Sequence, residues 1–354
     1  MKLLRPISIV MCLCLPAASA MAQVQLLPPP GAPPPVSKPA KAKIIKPAAK
    51  KQPTAVPAPS AAPALPSTAG APSVVDDPNA DVVYGAYQRG QYKTAFDLAT
   101  KRAENGDPKA MAMLGELYAG ALGVKRDYAR AADWYKRAAD LGDREAMFAL
   151  AMLRISGRGG PVNREDGAKL LASSAKLGNP KAAYNLALLY LDGQTLPQDL
   201  KRAAELLRIA ADAGNPEAQY ALATFYKEGT GVPKDIDKAV RLLQAASLAD
   251  NVDAEVEYAI ALYNGTGTPK NEAAAVALLR KAARQNSPIA QNRLAGVLVA
   301  RAGAPEDRIE GLKWHIVAKT AGKGDLKLDE ALAQASPEDR TKAEAAARKW
   351  LGAK

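Results

Sequence analysis

One period governs this chain from residue 106 onward. Gly106, Gly142, Gly178 and Gly214 stand 36 residues apart, and the series runs on through Asp250, Asn286 and Gly322 without slipping. A chain that repeats itself at this interval builds no single central core. Each copy must bury its apolar face against its neighbours. Gly, Asn and Asp tolerate the left-handed backbone that closes a helix. Directly after these positions, Asp107-Pro108, Asn179-Pro180, Asn215-Pro216 and Ser287-Pro288 each set a capping side chain before a proline at the first helical position. The period therefore marks one helix ending and another beginning.

Further columns keep the same spacing. Ala110, Ala146, Ala182, Ala218, Ala254 and Ala290 are followed four residues later by Leu114, Leu150, Leu186, Leu222, Tyr258 and Leu294. Next to these stand Gly115, Ala151, Ala187, Ala223, Ala259 and Ala295, small enough for close helix approach. A glycine-rich loop then leads to Asp127, Asn163, Asp199, Asp235, Asn271 and Asp307. This column is always Asp or Asn, the chemistry of a second helix cap. The second helix carries Trp134, Leu170, Leu206, Leu242, Leu278 and Trp314, with Ala138, Ser174, Ala210, Ala246, Ala282 and Ala318 four residues on. Apolar positions at i and i+4 give each helix one buried stripe, and no stretch alternates with the period of two that a strand needs.

The spans Ala110 to Tyr118, Gly123-Val124, Asp127 and Ala131 to Ala139 resemble the Sel1-like repeat, a relative of the tetratricopeptide repeat with a slightly longer unit. The resemblance covers six units over residues 106–325. It implies an all-α fold, a right-handed αα-superhelix (solenoid) with helical N- and C-terminal caps. Residues 77–105, with Tyr87, Gly90, Tyr92 and Ala95, look like an N-terminal capping hairpin. Residues 326–354 look like C-terminal capping helices, where Ser336-Pro337-Glu338-Asp339 reads as a helix start and Ala343, Ala347 and Trp350 close the stack. The segments around Ser156-Gly157-Arg158-Gly159-Gly160 and Ala302-Gly303-Ala304 depart from the usual loop.

The N-terminal part has a different character. Lys2 and Arg5 precede an apolar run from Ile7 to Leu15, and Ala18-Ser19-Ala20 and Ala20-Met21-Ala22 offer A-x-A cleavage sites. Residues 1–22 thus read as a secretory signal peptide, predicting a periplasmic protein that begins near Met21 or Gln23. Cys12 and Cys14 both fall within this leader, preceded by Met11 and Leu13 rather than by the small residue that lipidation favours. Residues 23–76 are rich in Pro, Ala and Lys and read as a disordered, polyproline-like linker. Its lysines could meet anionic envelope polymers, or serve only to keep a spacer solvated.

The formal charge of +12 is concentrated in these first segments, and only +4 belongs to everything from Asp76 onward. A nucleic-acid binder would carry its charge on the folded part, so no nucleic-acid role is expected. No later segment is apolar enough to span a membrane.

Chemistry is hard to build from this inventory. The chain has one histidine, His315, in the column of Tyr135, Leu171, Leu207, Leu243 and Leu279, which is a packing position. No cluster has the make-up of a zinc site, and the Gly-x-Gly loops follow no strand. No catalytic residue, metal or cofactor is expected. One group within the resembled family is associated with β-lactam binding, but its disulfide-bridged repeats have no counterpart here.

What remains is a surface. With Ala110 and Leu114 facing the core, positions two and six after the alanine point roughly the opposite way, toward the concave inner face. These columns place Phe148, Met152, Tyr184, Leu188, Tyr220 and Ile260 in a line. An apolar groove with tyrosine anchors predicts a protein or peptide partner. The family resemblance implies envelope assembly, exopolysaccharide control or restraint of a sensor's periplasmic part. The competing expectation is an envelope enzyme, or an accessory that contacts peptidoglycan or exopolysaccharide directly.

Overall fold

The computed structural model describes residues 81–301 and 304–352. The leader, the linker and the Ala302-Gly303 pair lie outside the described residues. Sixteen helices and no strand occur among the described residues. They fall into two compact units that divide between Leu141 and Gly142.

The N-terminal unit contains α1 (Val82–Gln88), α2 (Tyr92–Glu104), α3 (Pro108–Gly120) and α4 (Tyr128–Asp140). The C-terminal unit holds α5 (Arg144–Ser156), α6 (Arg164–Lys176), α7 (Pro180–Asp192), α8 (Leu200–Asp212), α9 (Pro216–Glu228) and α10 (Ile236–Leu248). It continues with α11 (Val252–Asn264), α12 (Glu272–Arg284), α13 (Pro288–Ala300), α14 (Pro305–Thr320), α15 (Leu326–Ala333) and α16 (Pro337–Gly352). Within each unit the helices pack each on the next in sequence as far as α15, and α16 packs on α14.

The periodic residues do what their chemistry suggests. Gly106, Gly142, Gly178, Gly214 and Gly322 all have positive φ, and Asp250 (φ 60°) and Asn286 (φ 65°) adopt it where the series departs from glycine. The left-handed turn lets the following amide bond back into the helix just finished, as Asn179 N–H does to the Ser174 carbonyl (3.1 Å) and Asn215 N–H to the Ala210 carbonyl (3.0 Å). The same residue then opens the next helix: Asn179 Oδ1 accepts from Ala182 N–H at 3.1 Å, and Asn215 Oδ1 from Ala218 N–H at 2.7 Å. One residue thus closes one helix through its backbone amide and opens the next through its side chain.

The second cap works similarly. Asp127, Asn163, Asp199, Asp235 and Asn271 each accept from a first-turn amide of the following helix. Their own amides donate to the preceding helix, for example Asp235 N–H to the Tyr226 carbonyl at 2.8 Å. Asp307 is the exception. α14 begins at Pro305 after Ala304, so Asp307 lies inside its first turn and accepts from Arg280 Nη2 at 3.0 Å instead. A proline at the first helical position starts the helix three residues earlier than the column predicts.

Loop glycines mark close approaches. A Cβ on Gly231, whose φ is +66°, would overlap the carbonyl oxygen of Leu200 at the start of α8. Gly115 in α3 would carry a Cβ only 2.6 Å from the Tyr135 ring. Paired columns compensate one another in the same way. Arg130 lies over Tyr118 (5.7 Å to the centroid) and Lys238 over Tyr226 (5.4 Å), while the matching positions in another copy are Arg154 and Asp166, an ion pair at 3.5 Å.

The core stripe of the second helices is centred one column later than the periodicity predicts. Tyr135, Leu171, Leu207, Leu243, Leu279 and His315 are all buried; of the predicted column Leu206 and Trp314 are buried too, whereas Trp134, Leu170, Leu242 and Leu278 are only half-buried. A second helix is packed by the first helices of its own and the following copy, so its buried arc is wide and its deepest line falls between them. At the C-terminal end, Ser336 Oγ accepts from Asp339 N–H (3.1 Å), Ala343 and Ala347 are buried, and Trp350 meets Trp314 edge-on at 5.0 Å.

Candidate partner-binding face

The first helices α7, α9 and α11 lie side by side in the C-terminal unit. Their contact shows in the Lys227–Glu257 ion pair (2.8 Å) between α9 and α11, and in the buried cluster that joins α7 to α9. Because a helix turns 100° per residue, positions i, i+3, i+7 and i+11 share one face. In α9 these are Glu217, Tyr220, Thr224 and Glu228. In α7 they are Lys181, Tyr184, Leu188 and Asp192, and in α11 Asp253, Val256, Ile260 and Asn264. The exact period stacks them into rows across the helices. The middle is apolar or tyrosyl except at Thr224, and the outer rows are polar and largely acidic.

The six residues singled out from the sequence do not form one exposed line. Phe148, Met152 and Tyr184 are 1%, 4% and 3% exposed and belong to the buried cluster that spans α5 to α9. Leu188, Tyr220 and Ile260 are half-buried and remain open to contact. The simple opposite-face argument fails at the first three because a first helix has neighbours on both flanks as well as beneath it. Large side chains two residues after the alanine turn into the seam with the adjacent first helix.

Electrostatics follow this layout. Burial, followed by the charge of Glu217, raises the Tyr184 phenol to about 12. Burial does the same to Tyr220, assisted by Asp253, Glu257 and Glu228, and its pKa is also about 12. Both hydroxyls therefore stay protonated donors at neutral pH. Asn185 is fully buried; its Nδ2 donates to the Lys181 carbonyl at 2.8 Å, while its Oδ1 has no donor. Glu217, Glu228 and Asp253 were legible through the same i, i+3, i+7, i+11 rule, and Glu257 one turn after Asp253, but a search restricted to apolar side chains passes over them.

His315 is fully buried, and its Nε2 lies 2.8 Å from Asp329 Oδ1, which also accepts from Lys319 Nζ at 2.6 Å. No group of three or more potential metal ligands occurs among the described residues. No helix there is long and apolar enough to cross a membrane.

This architecture, paired helices whose caps and packing columns repeat in strict register, defines an all-α repeat superhelix. Six consecutive matches to the Sel1 repeat cover residues 108–143, 144–179, 180–215, 216–251, 252–287 and 288–323, and the chain belongs to that family. Among solved structures it is similar to a Sel1 repeat protein from Oxalobacter formigenes, with 26% identity and a TM-score of 0.59. That match covers 68% of this chain and 98% of the other. It is also similar to c5321, a protective antigen of uropathogenic Escherichia coli strains with an SLR fold. Here identity is 25% and the TM-score 0.54, over 74% of this chain and 64% of that one. No curated protein matches the chain.

Proposed function

We propose that this protein is a non-enzymatic periplasmic scaffold or regulator that docks a protein or peptide along the first-helix face of its middle repeats. The observation that carries this reading is the open row of Leu188, Tyr220 and Ile260, held in register by three identically capped helices. Sel1 repeats generally mediate contacts between proteins, and this row keeps partly exposed apolar side chains on neighbouring first helices. The periplasmic location is supported by Lys2, Arg5, the apolar run from Ile7 to Leu15 and the A-x-A sites after it.

The test is a photo-crosslinking residue at Ile260 on the face, or at Gln244 on the exposed side of α10, in the native host. Discrete adducts from position 260 and none from 244 are expected, in the periplasmic fraction. Adducts from 244 alone would move the docking surface to the second helices. A full-length leader on the isolated protein would remove the periplasmic assignment.

A further inference from the structure

The first-helix face is polarised in charge. α9 and α11 carry Glu217, Glu228, Asp253, Glu255 and Glu257 against the single Lys227. The second helices between and beside them, α8, α10 and α12, carry eight Lys and Arg residues against four acids. Glu255 points inward, fully buried, and meets Lys281 Nζ at 2.6 Å. The other four carboxylates border the open row. Asp253 and Glu257 sit one turn apart on α11, and Glu228 lies beyond Tyr220 and Thr224 on α9. Only Glu257 is paired with a base, Lys227, and both side chains stay substantially exposed (34% and 47%). An exposed pair of this kind is weak and exchanges readily with a competing cation.

We propose that this face selects an extended, basic segment of a partner protein, seated across α7, α9 and α11. The inference rests on the reading of the face as the docking surface and adds the chemistry of what docks. The rows at both ends of the helices are predominantly acidic, with Glu217 and Asp253 beside Lys181 on one side and Asp192 and Glu228 beside Asn264 on the other. The row between them is Leu188, Thr224 and Ile260, with Tyr220 beside it. Successive side chains of an extended peptide point to opposite sides. A peptide running along the middle row therefore sends alternate residues toward the two acidic rims. Helices packed about 10 Å apart put roughly 20 Å between the axes of α7 and α11. That is about six residues of extended chain at ~3.3 Å each.

The experiment measures binding of fluorescently labelled octapeptides (Lys-Thr)4, (Gln-Thr)4 and (Glu-Thr)4 to the full mature chain by anisotropy. The Lys peptide should bind at least tenfold more tightly than the other two and weaken steeply with added salt. The triple variant Glu228→Gln, Asp253→Asn, Glu257→Gln should lose about tenfold. A matched control on α8 and α10, Glu205→Gln, Asp212→Asn, Asp237→Asn, should lose less than twofold. All three carboxylates in the first set are at the surface, and circular dichroism confirms that both variants fold. Equal losses in the two variants, a preference for the Gln or Glu peptide, or no binding of the Lys peptide would each overturn the inference. The crosslink from position 260 judges the docking face separately, since it would persist if only the basic preference were wrong.

Discussion

Gly115→Ala is expected to destabilise the protein even though alanine is the better helix former. Ala151, Ala187, Ala223, Ala259 and Ala295 fill this column in the other copies, so the substitution looks conservative by repeat alignment. The difference lies across the seam. The partner column reads Leu171, Leu207, Leu243, Leu279 and His315, but here it is Tyr135. A Cβ at 115 would stand 2.6 Å from ring atoms Cδ1 and Cε1 and 2.9 Å from Cγ. That is about 1 Å inside ordinary carbon–carbon contact. The ring is 4% exposed and cannot swing into solvent. Helix propensity favours alanine by about 1 kcal/mol. Overpacking a filled site costs about 1–3 kcal/mol, and displacing three ring atoms at once puts the strain in the upper half of that range. The net expectation is a loss of about 1–2 kcal/mol. Tyr135→Leu alone should lose about 2–3 kcal/mol through the void it leaves. The double variant restores the alanine–leucine pair of the other copies, and should recover at least 1 kcal/mol of that loss. Amide hydrogen exchange in α3 and α4 of all four proteins reads this locally, without assuming that the whole array unfolds in one step. An alanine variant as stable as the parent, or a double variant equal to the sum of the singles, would refute the size-compensation argument.

Two further outcomes follow from the C-terminal unit. Arg280 donates to Glu310 at 2.6 Å and to Asp307 at 3.0 Å, joining α12 to α14. Arg280→Lys loses the planar fork and, because the group is partly exposed, should cost only about 0.5–1.5 kcal/mol, read as a shift in urea midpoint. Hydrogen bonds from Lys319 and His315 hold the Asp329 carboxyl below its ordinary range. Its contribution to stability is therefore present above the unfolded carboxylate pKa and disappears as the pH falls through the lower folded value. Fluorescence of Trp314, on the same helix as His315 and Lys319, should report loosening of the α14–α15 contact in acid. Asp329→Asn should flatten that acid limb, and an unchanged limb would exclude this carboxylate as its source.

How much of this was legible in the sequence depends on whether neighbours or periodicity decide a residue's fate. Caps are local, so Asp107, Asn179, Asn215 and Ser287 could be read directly, and each accepts from the amides of its own helix. Asp307 was misread because Pro305 starts α14 ahead of it. Burial of Phe148, Met152 and Tyr184 was not legible because a helical wheel knows one helix's own periodicity, not which flank another copy will cover. For the same reason the second-helix stripe came out one column early. The acidic rims lay in plain view at 217, 228, 253 and 257, but their meaning required knowing that α9 and α11 stand next to each other.

The residue that ends one helix and caps the next has a consequence for how such a chain changes over generations. Removing residues 216–251 would join Asn215 to Val252, replacing Asn251 before the same valine. One asparagine cap would stand in for another, and every column beyond the junction would keep its face. Gain or loss of a single residue inside a helix instead rotates the rest of that helix by about 100° and turns its buried stripe outward. Insertions and deletions in this array are therefore quantised. Recombination between copies adds or removes whole 36-residue units and lengthens or shortens the docking face by one helix at a time, while smaller length changes are confined to the loops.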